Sequence, residues 1–466
     1  MLARLSDIYE VLKMKIDPDR IAYDEAISSA YTRDSSFTLT GITNYEFIVV
    51  QPISTEEVQY ILHVANERKL KVLVKSWGTN LVGATIPHNI DILLDLKRMK
   101  KISIDSEFQV AVIEPGVTHG ELFREAKKKY GLKYIGPLAP HSASVIGNIT
   151  YTSMKPGATR YGQDQVLALE VVLPTGEILR TGCWAFPDTM DITPYYRHAP
   201  LLDLNFLFLF TRGVFGVITK AAIRLYPMQE MDEIIVASFD NITNLVKVSE
   251  VLQYHYIPSL LLAMSGSYIT RLFGKHIIDQ LGDSILNSHI LIAEIEGRKE
   301  QVEVNMKIAK EVIEKYGGKV IQDISRSELD KALVPSIYSP RMLQPYGSML
   351  PIVVYLPTKY VGPYIEEVRS TLNSVNVHSE YVFYFQYHGQ NAYVEIDVHY
   401  DPISTRRDDL IKVLSITSMI KRKYKGCSTS LSEFEKTGNY YDLALKIKKL
   451  LDPNDVLNPQ RLFRGV

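Results

Sequence analysis

The sequence predicts an α+β fold in two parts, and three observations carry that prediction. Strand and helix signals alternate through the first half, the pattern changes after Pro227 to long helices set between strands, and residues 381–399 read as paired strands with one buried face. In chain order, residues 45–51 (YEFIVVQ) form a strand. Ser54 to Glu57 is a capping box that opens a helix with Val58, Ile61, Leu62 and Ala65 on one side. The strand Leu70 to Val74 then runs into the turn KSWGTNLVGATIP, where Gly78 and Gly83 let the backbone come close to a ligand. Such a turn reads as an anion cradle of converging N–H groups or as an ordinary tight turn. It is neither GxxxxGKS/T nor GxGxxG, which speaks against a Walker ATPase and against a nicotinamide-binding fold.

Asp91 to Leu96 and Gln109 to Glu114 are further strands, and Thr118 to Glu121 is a second capping box before a helix that ends near Gly131. Leu167 to Arg180 is a hairpin turning on Thr175-Gly176, and Val217 to Tyr226 closes the half as a strand. The second half is read as strands at 234–239, 290–296 and 352–356, with helices at 245–254, 301–316 and 360–372 between them. Tyr381 to His388 and Ala392 to His399 then pair around Gly389-Gln390-Asn391, which gives an antiparallel sheet covered by helices on one side. A last helix at 408–424 leads to the tail DPNDVLNPQRLF. The expected division is 1–228, 229–425 and a C-terminal segment 426–466 that returns to the first part.

A chain of 466 residues is long enough for two or three cores. Its composition, 46% hydrophobic and 23% charged, is that of an ordinary soluble protein. A net charge of −1 lacks the basic field of a nucleic-acid binder. Cys183 and Cys427 cannot build a disulfide framework or a zinc-thiolate site. The acidic N-terminus does not read as a signal peptide, and no apolar run is long enough to span a bilayer. A cytoplasmic location is expected, with peripheral membrane docking left open.

Four segments together resemble the flavoprotein family of vanillyl-alcohol oxidase and para-cresol methylhydroxylase, which includes D-lactate and glycolate dehydrogenases. They are KSWGTNLVGATIP followed by Leu94-Asp95-Leu96 and VIEPG (112–116); PHSASVIGNITYTS (140–153) followed by Arg160-Tyr161-Gly162; LEVVLPTGEILRTG (169–182) with TRGVFGVITKAAIRLYP (211–227); and the C-terminal DPNDVLNPQRLF. The resemblance implies a two-part FAD-binding domain of the vanillyl-alcohol oxidase type with a cap domain. Its first pyrophosphate loop would be Ser76, Trp77, Gly78, Thr79, Asn80, Leu81 and Gly83. The second would use Pro140, Ser142, Ser144, Ile146, Gly147, Asn148, Thr150 and Ser153 with Arg160 and Tyr161, and Gly213, Gly216, Val217 and Ile218 would meet the adenine end. Asn80, Ser142, Ser144 and Asn148 would add side-chain donors. Trp77 stands where relatives carry glycine, and is expected to crowd the loop or stack at the cofactor's edge, so that Trp77→Gly would leave FAD affinity unchanged or raise it. Thr79 stands where some relatives carry a flavin-linking histidine, and the partner cysteine of the second loop is absent. Noncovalent FAD is therefore expected, with attachment through a cap-domain His or Tyr left open.

The family implies oxidation of a small molecule by hydride transfer to flavin N5, the substrate hydroxyl losing its proton to a base or to solvent. The substrate expected first is a 2-hydroxy acid such as D-lactate or glycolate, with a phenol or aryl alcohol, or flavin binding without catalysis, as alternatives. Candidate catalytic groups are His388, Gln386, Glu395 and Tyr384 on the 381–399 hairpin, and Arg341 for the substrate anion. His388 reads equally as a structural histidine, His399 as structural, and Arg341 equally as a surface ion-pair partner. The hairpin resembles the start of the metal-binding GHxGDGNxH motif of lactate and glycolate dehydrogenases at His388-Gly389, but its acidic residue is missing and no metal is expected. Electrons would pass to a quinone, a carrier protein or oxygen. No nucleic-acid partner is expected, and homo-oligomerisation is left open.

Overall fold

The computed structural model describes residues 2–34, 36, 46–137, 139–151, 162–197, 202–273, 282–321, 348–386, 390–401, 403–427 and 434–463. Its first half is built on two sheets. The smaller has the order β1 (Ile21–Ala22), β2 (Ile48–Val50), β4 (Ile92–Asp95), β3 (Val72–Lys75). β4 runs parallel to both β2 and β3, so these strands are buried on both sides and read as unbroken apolar runs. The larger sheet is antiparallel, in the order β5 (Ile102–Asp105), β6 (Val110–Ile113), β10 (Val217–Arg224), β8 (Val166–Val172), β9 (Ile178–Arg180). Both expected capping positions hold helices. Thr118 and Glu121 make the full reciprocal box at the start of His119–Tyr130, which ends at Gly131 in the left-handed region. Ser54 accepts from Glu57 N, but the Glu57 carboxylate turns to Arg20 and to Ile53 N instead of closing the box.

The second half is one antiparallel sheet of seven strands, β15 (Lys319–Ile321), β12 (Met231–Phe239), β14 (His289–Gly297), β13 (Leu260–Ser265), β17 (Ser379–Gln386), β18 (Asn391–Tyr400), β16 (Ser348–Pro357). Period-two alternation divides it cleanly. Val354, Leu356, Ala392, Val394, Ile396, Tyr381 and Phe383 enter the core under the helices Ile242–Tyr254, Lys299–Lys315, Val361–Ser374 and Arg407–Lys423. Val353, Tyr355, Val382 and Tyr393 face the other way, where Phe210 of the first half packs among them. Elements not expected from the sequence include β13, the helix Gly266–Phe273 that follows it, the N-terminal helix Leu2–Leu12, the helix Val145–Tyr151 and the helix Asn439–Leu451, with the short strands β1, β5 and β15.

The halves also meet through charge. The Lys133 ammonium, on β7 (Leu132–Lys133), which pairs with β11 (Tyr226–Pro227), meets Glu296 and lies 3.8 Å from Glu294, both on β14. Asp232 completes a group of three carboxylates whose oxygens lie within 4.8 Å of one another. Burial, opposed by Lys133 and aided by Asp232 and Glu296, pushes Glu294 up to about 7. Among the described residues no helix is long and apolar enough to cross a membrane.

Candidate active site

The glycine turn after β3 is held from below and from one side. The Lys75 ammonium donates to the carbonyls of Arg33 (2.7 Å) and Tyr31 (3.2 Å), and its chain passes so close under Gly78 (φ +64°) that a Cβ there would lie 2.8 Å from Lys75 Cε. Ser76 Oγ donates to the Pro115 carbonyl at 3.1 Å, and Trp77 Nε1 donates to the Gly116 carbonyl at 3.0 Å. The second loop reaches the same place, since Ser144 Oγ donates to the Pro115 carbonyl at 2.7 Å while accepting from Gly147 N at 2.9 Å. Pro115-Gly116 is therefore the common anchor of two loops that follow different strands. A Cβ on Gly116 would stand 2.5 Å from the Lys97 carbonyl oxygen and 2.6 Å from that of Met99, so only glycine fits.

The indole of Trp77 points at this anchor, with the Lys100 ammonium 4.6 Å from its ring centroid. It braces the loop. Because the indole is held by these contacts and does more than narrow the loop, Trp77→Gly should lower FAD affinity roughly tenfold, the sum of one hydrogen bond and one exposed cation–π contact. Titration of the apoprotein with FAD measures this, and unchanged or tighter binding would restore the earlier expectation. Asn80 likewise turns inward: its Oδ1 accepts from Val82 N (3.2 Å) and Ala84 N (2.9 Å), and its Nδ2 donates to Thr85 Oγ1 (3.3 Å). The Asn80 and Ser144 side chains, expected as donors to the cofactor, make hydrogen bonds that shape the loops.

The tail supplies a third clamp. Asn458 Oδ1 accepts from Val74 N at 2.8 Å, while its Nδ2 donates to the carbonyls of Arg212 and Gly213, each at 3.0 Å. Arg461 donates to the carbonyls of Gly83 and Ile86. Asp452, paired with the buried Lys448 ammonium, accepts from Val456 N and Leu457 N and so fixes the bend that delivers these groups. Nothing in the spacing of DPNDVLNPQRLF marks Asn458 as the bridge between the two glycine turns.

These walls enclose a cleft of about 1330 Å³. Ser76, Trp77, Gly78, Thr79, Asn80, Leu81, Pro140, Ser144, Ile146, Gly147, Asn148, Thr150, Gly213, Gly216, Val217 and Ile218 all lie on its wall. Gly83 and Ser142 do not line it, although Val82 and Ala84 do. Ser153, Arg160 and Tyr161 lie outside the described residues. The cleft fits a long dinucleotide. Gly78, Gly147, Gly213 and Gly216 bring backbone to its wall without a side chain, and at Gly213 (φ +68°) a Cβ would meet Asn458 Nδ2 at 2.8 Å.

The seven-strand sheet forms the opposite wall with Val353, Tyr393 and Glu395. Tyr393 donates to Glu395 Oε2 at 2.6 Å, and its ring meets Tyr355 edge-on at 5.8 Å. Beside Glu395 lies the fully buried Asp397. Burial raises both carboxyls, and the neighbouring Glu395 charge raises Asp397 further, so the pair holds a proton under conditions where free carboxyls would not. Of the other expected catalytic groups, Arg341 and His388 lie outside the described residues. Tyr384 and Gln386 are on β17, where their backbones pair with Tyr393 and Asn391. Cationic side chains of Arg212, Lys421, Arg422 and Lys436 also line the cleft. From sequence alone the run Lys421 to Lys425 reads as a solvated helix face, but Lys421 is buried and, with Arg422, lines the cleft.

Residues 48–182 match the family described as FAD binding domain. The chain is 30% identical over 262 residues to glycolate oxidase subunit GlcD of Bacillus subtilis, spanning 55% of this chain and 52% of that protein. It is 24% identical over 458 residues to D-lactate dehydrogenase of Archaeoglobus fulgidus, spanning 94% and 96%. The flavoprotein subunit of 4-cresol dehydrogenase [hydroxylating] of Pseudomonas putida is 28% identical over 302 residues, 58% of this chain and 56% of that one. The fold is that of p-cresol methylhydroxylase, whose substrate-bound crystal structure superposes with a TM-score of 0.85 at 20% identity, over 99% of this chain and 97% of the other.

Proposed function

We propose that this chain, an FAD-dependent oxidoreductase by its FAD binding domain and its relatives, oxidises a small 2-hydroxy acid of the D-lactate or glycolate kind. The observation that carries this reading is the half-buried Glu395, facing the glycine loops across the cleft and held by Tyr393 at 2.6 Å. A carboxylate there suits removal of a hydroxyl proton. Bound FAD would supply the hydride acceptor, its N5.

The chain's own residues do the rest. The loops anchored at Pro115-Gly116 and Asn458 would hold the pyrophosphate with Ser76 to Leu81 and Pro140 to Thr150. Glu395 would take the hydroxyl proton, while Tyr393, Tyr384 and Gln386 orient the substrate. Arg341 is the proposed partner of the substrate carboxylate. FAD would be held noncovalently, since Thr79 offers no nucleophile suited to the first-loop linkage, and acid precipitation should then release all flavin. A quinone, a carrier protein or oxygen would accept the electrons. A second reading, oxidation of a phenol or aryl alcohol, is supported by the aromatic Tyr355–Tyr393 pair near the cleft and by the likeness to 4-cresol dehydrogenase. Anaerobic addition of D-lactate or of a 4-alkylphenol to the FAD-loaded protein separates the two by which one bleaches the flavin.

A further inference from the structure

Glu395 is the inner end of a row of ionisable groups that leads out of the cleft. Residues 395, 397 and 399 project from the same face of β18, and in the antiparallel register Glu380 of β17 stands directly opposite Asp397. Asp397 and Glu380 are both fully buried. His399 Nε2 lies 3.2 Å from Glu380 Oε2, and His378 Nε2 lies 3.9 Å from Glu380 Oε1. His378 is the outer end, with its side chain 56% exposed. The helix Gly266–Phe273 covers the row with the buried Tyr268, which faces Asp397, Glu395 and Glu380. No donor meets either oxygen of Asp397 in good hydrogen-bonding geometry, though Tyr268 and Glu395 lie beside it.

So many acids in one dry place are costly as mere packing. An apolar sheet face would be more stable. Their order from cleft to surface gives them a use.

We propose that Glu395, Asp397, Glu380 and His399 with His378 form a proton exit path, which carries the substrate's hydroxyl proton from the cleft to solvent after each oxidation. The inference rests on Glu395 acting as the base. With FAD bound, the hydride leaving the substrate C–H bond would be taken up by the cofactor, and the O–H proton would pass to Glu395. That proton must leave before Glu395 can act again. It moves to Asp397, then across the strand pair to Glu380, and from Glu380, directly or by way of the buried His399, to the exposed imidazole of His378 and on to water. Asp397, between Glu395 on its own strand and Glu380 opposite, is placed to receive the proton and pass it on.

The test follows two signals in one anaerobic mixing experiment on the FAD-loaded protein: flavin bleaching by D-lactate, and proton release read by a pH-indicator dye. In the unmodified protein the two should coincide. In Glu380→Gln and in His378→Ala, bleaching in the first turnover should keep its rate, while proton release and steady-state turnover slow by roughly tenfold or more. Added imidazole should restore His378→Ala. Release that stays in step with bleaching in either variant overturns the path. If Glu380→Gln fails to take up FAD, His378→Ala alone decides. If D-lactate does not bleach the unmodified protein, the substrate reading fails separately. The path is then read without substrate, from the infrared carbonyl band of a protonated carboxyl. That band should be lost in Asp397→Asn, and its shift after transfer to D2O should be slower in His378→Ala than in the unmodified protein. An equal rate overturns the path.

Discussion

Replacing Glu395 by Gln is expected to slow flavin reduction by D-lactate roughly 10²- to 10⁴-fold, the usual contribution of a general base, while FAD binding stays intact. The amide keeps the size of the side chain and can still accept from Tyr393, so the wall of the cleft is preserved. What is lost is the ability to take a proton. The pH dependence distinguishes this from a packing defect. Burial raises the Glu395 pKa, so the carboxylate, the active form, appears only as pH rises past a value above the ordinary carboxyl range. The rate should therefore climb with pH along a limb set by this group, and Glu395→Gln should lack that limb. Stopped-flow reduction across the pH range measures both. A variant that keeps the limb and most of the rate would remove Glu395 from the reaction.

Gly116→Ala is expected to cost the protein most of its FAD. The new methyl would stand 2.5 and 2.6 Å from the carbonyl oxygens of Lys97 and Met99, which are backbone and cannot rotate away. Relief requires the strand end to move, at a cost of roughly 1–3 kcal/mol. Gly116 N also donates to the Met99 carbonyl at 2.7 Å, and the Gly116 carbonyl accepts from Trp77, so the shift passes directly to the first loop. Pro115, one residue away, carries both Ser76 and Ser144. A displacement there separates the two loops that must close on one pyrophosphate. FAD affinity should fall about 10- to 100-fold, as read by titration of the apoprotein. Wild-type affinity would mean that the loops are held independently.

Much of this was legible in the sequence because the signals are local. The Thr118–Glu121 box, the left-handed Gly131 and the alternation along β17 and β18 each depend on residues a few positions apart. The same alternation would have placed Asp397 and His399 on the face of Glu395, had it been followed beyond the first acid. What escaped is set by contacts distant in sequence. β13 is nearly all apolar on both faces, so no period distinguishes it, and the helix Gly266–Phe273 behind it has only eight residues, too few for a helical period to stand out. Asn458 matters through Val74 and Gly213, hundreds of residues away, and Trp77 through Gly116. Asn80 and Ser144 show the general difficulty: a polar side chain in a glycine loop serves a ligand or the loop itself, and only the fold says which.

The proposal that the cleft binds FAD and oxidises a 2-hydroxy acid stands or falls with what reduces the bound flavin. Its most direct test is an anaerobic absorption titration of the FAD-loaded protein with D-lactate, glycolate and a 4-alkylphenol. D-lactate or glycolate should bleach the flavin, and the phenol should not. Bleaching by the 4-alkylphenol alone, or a protein that takes up no FAD, would contradict it.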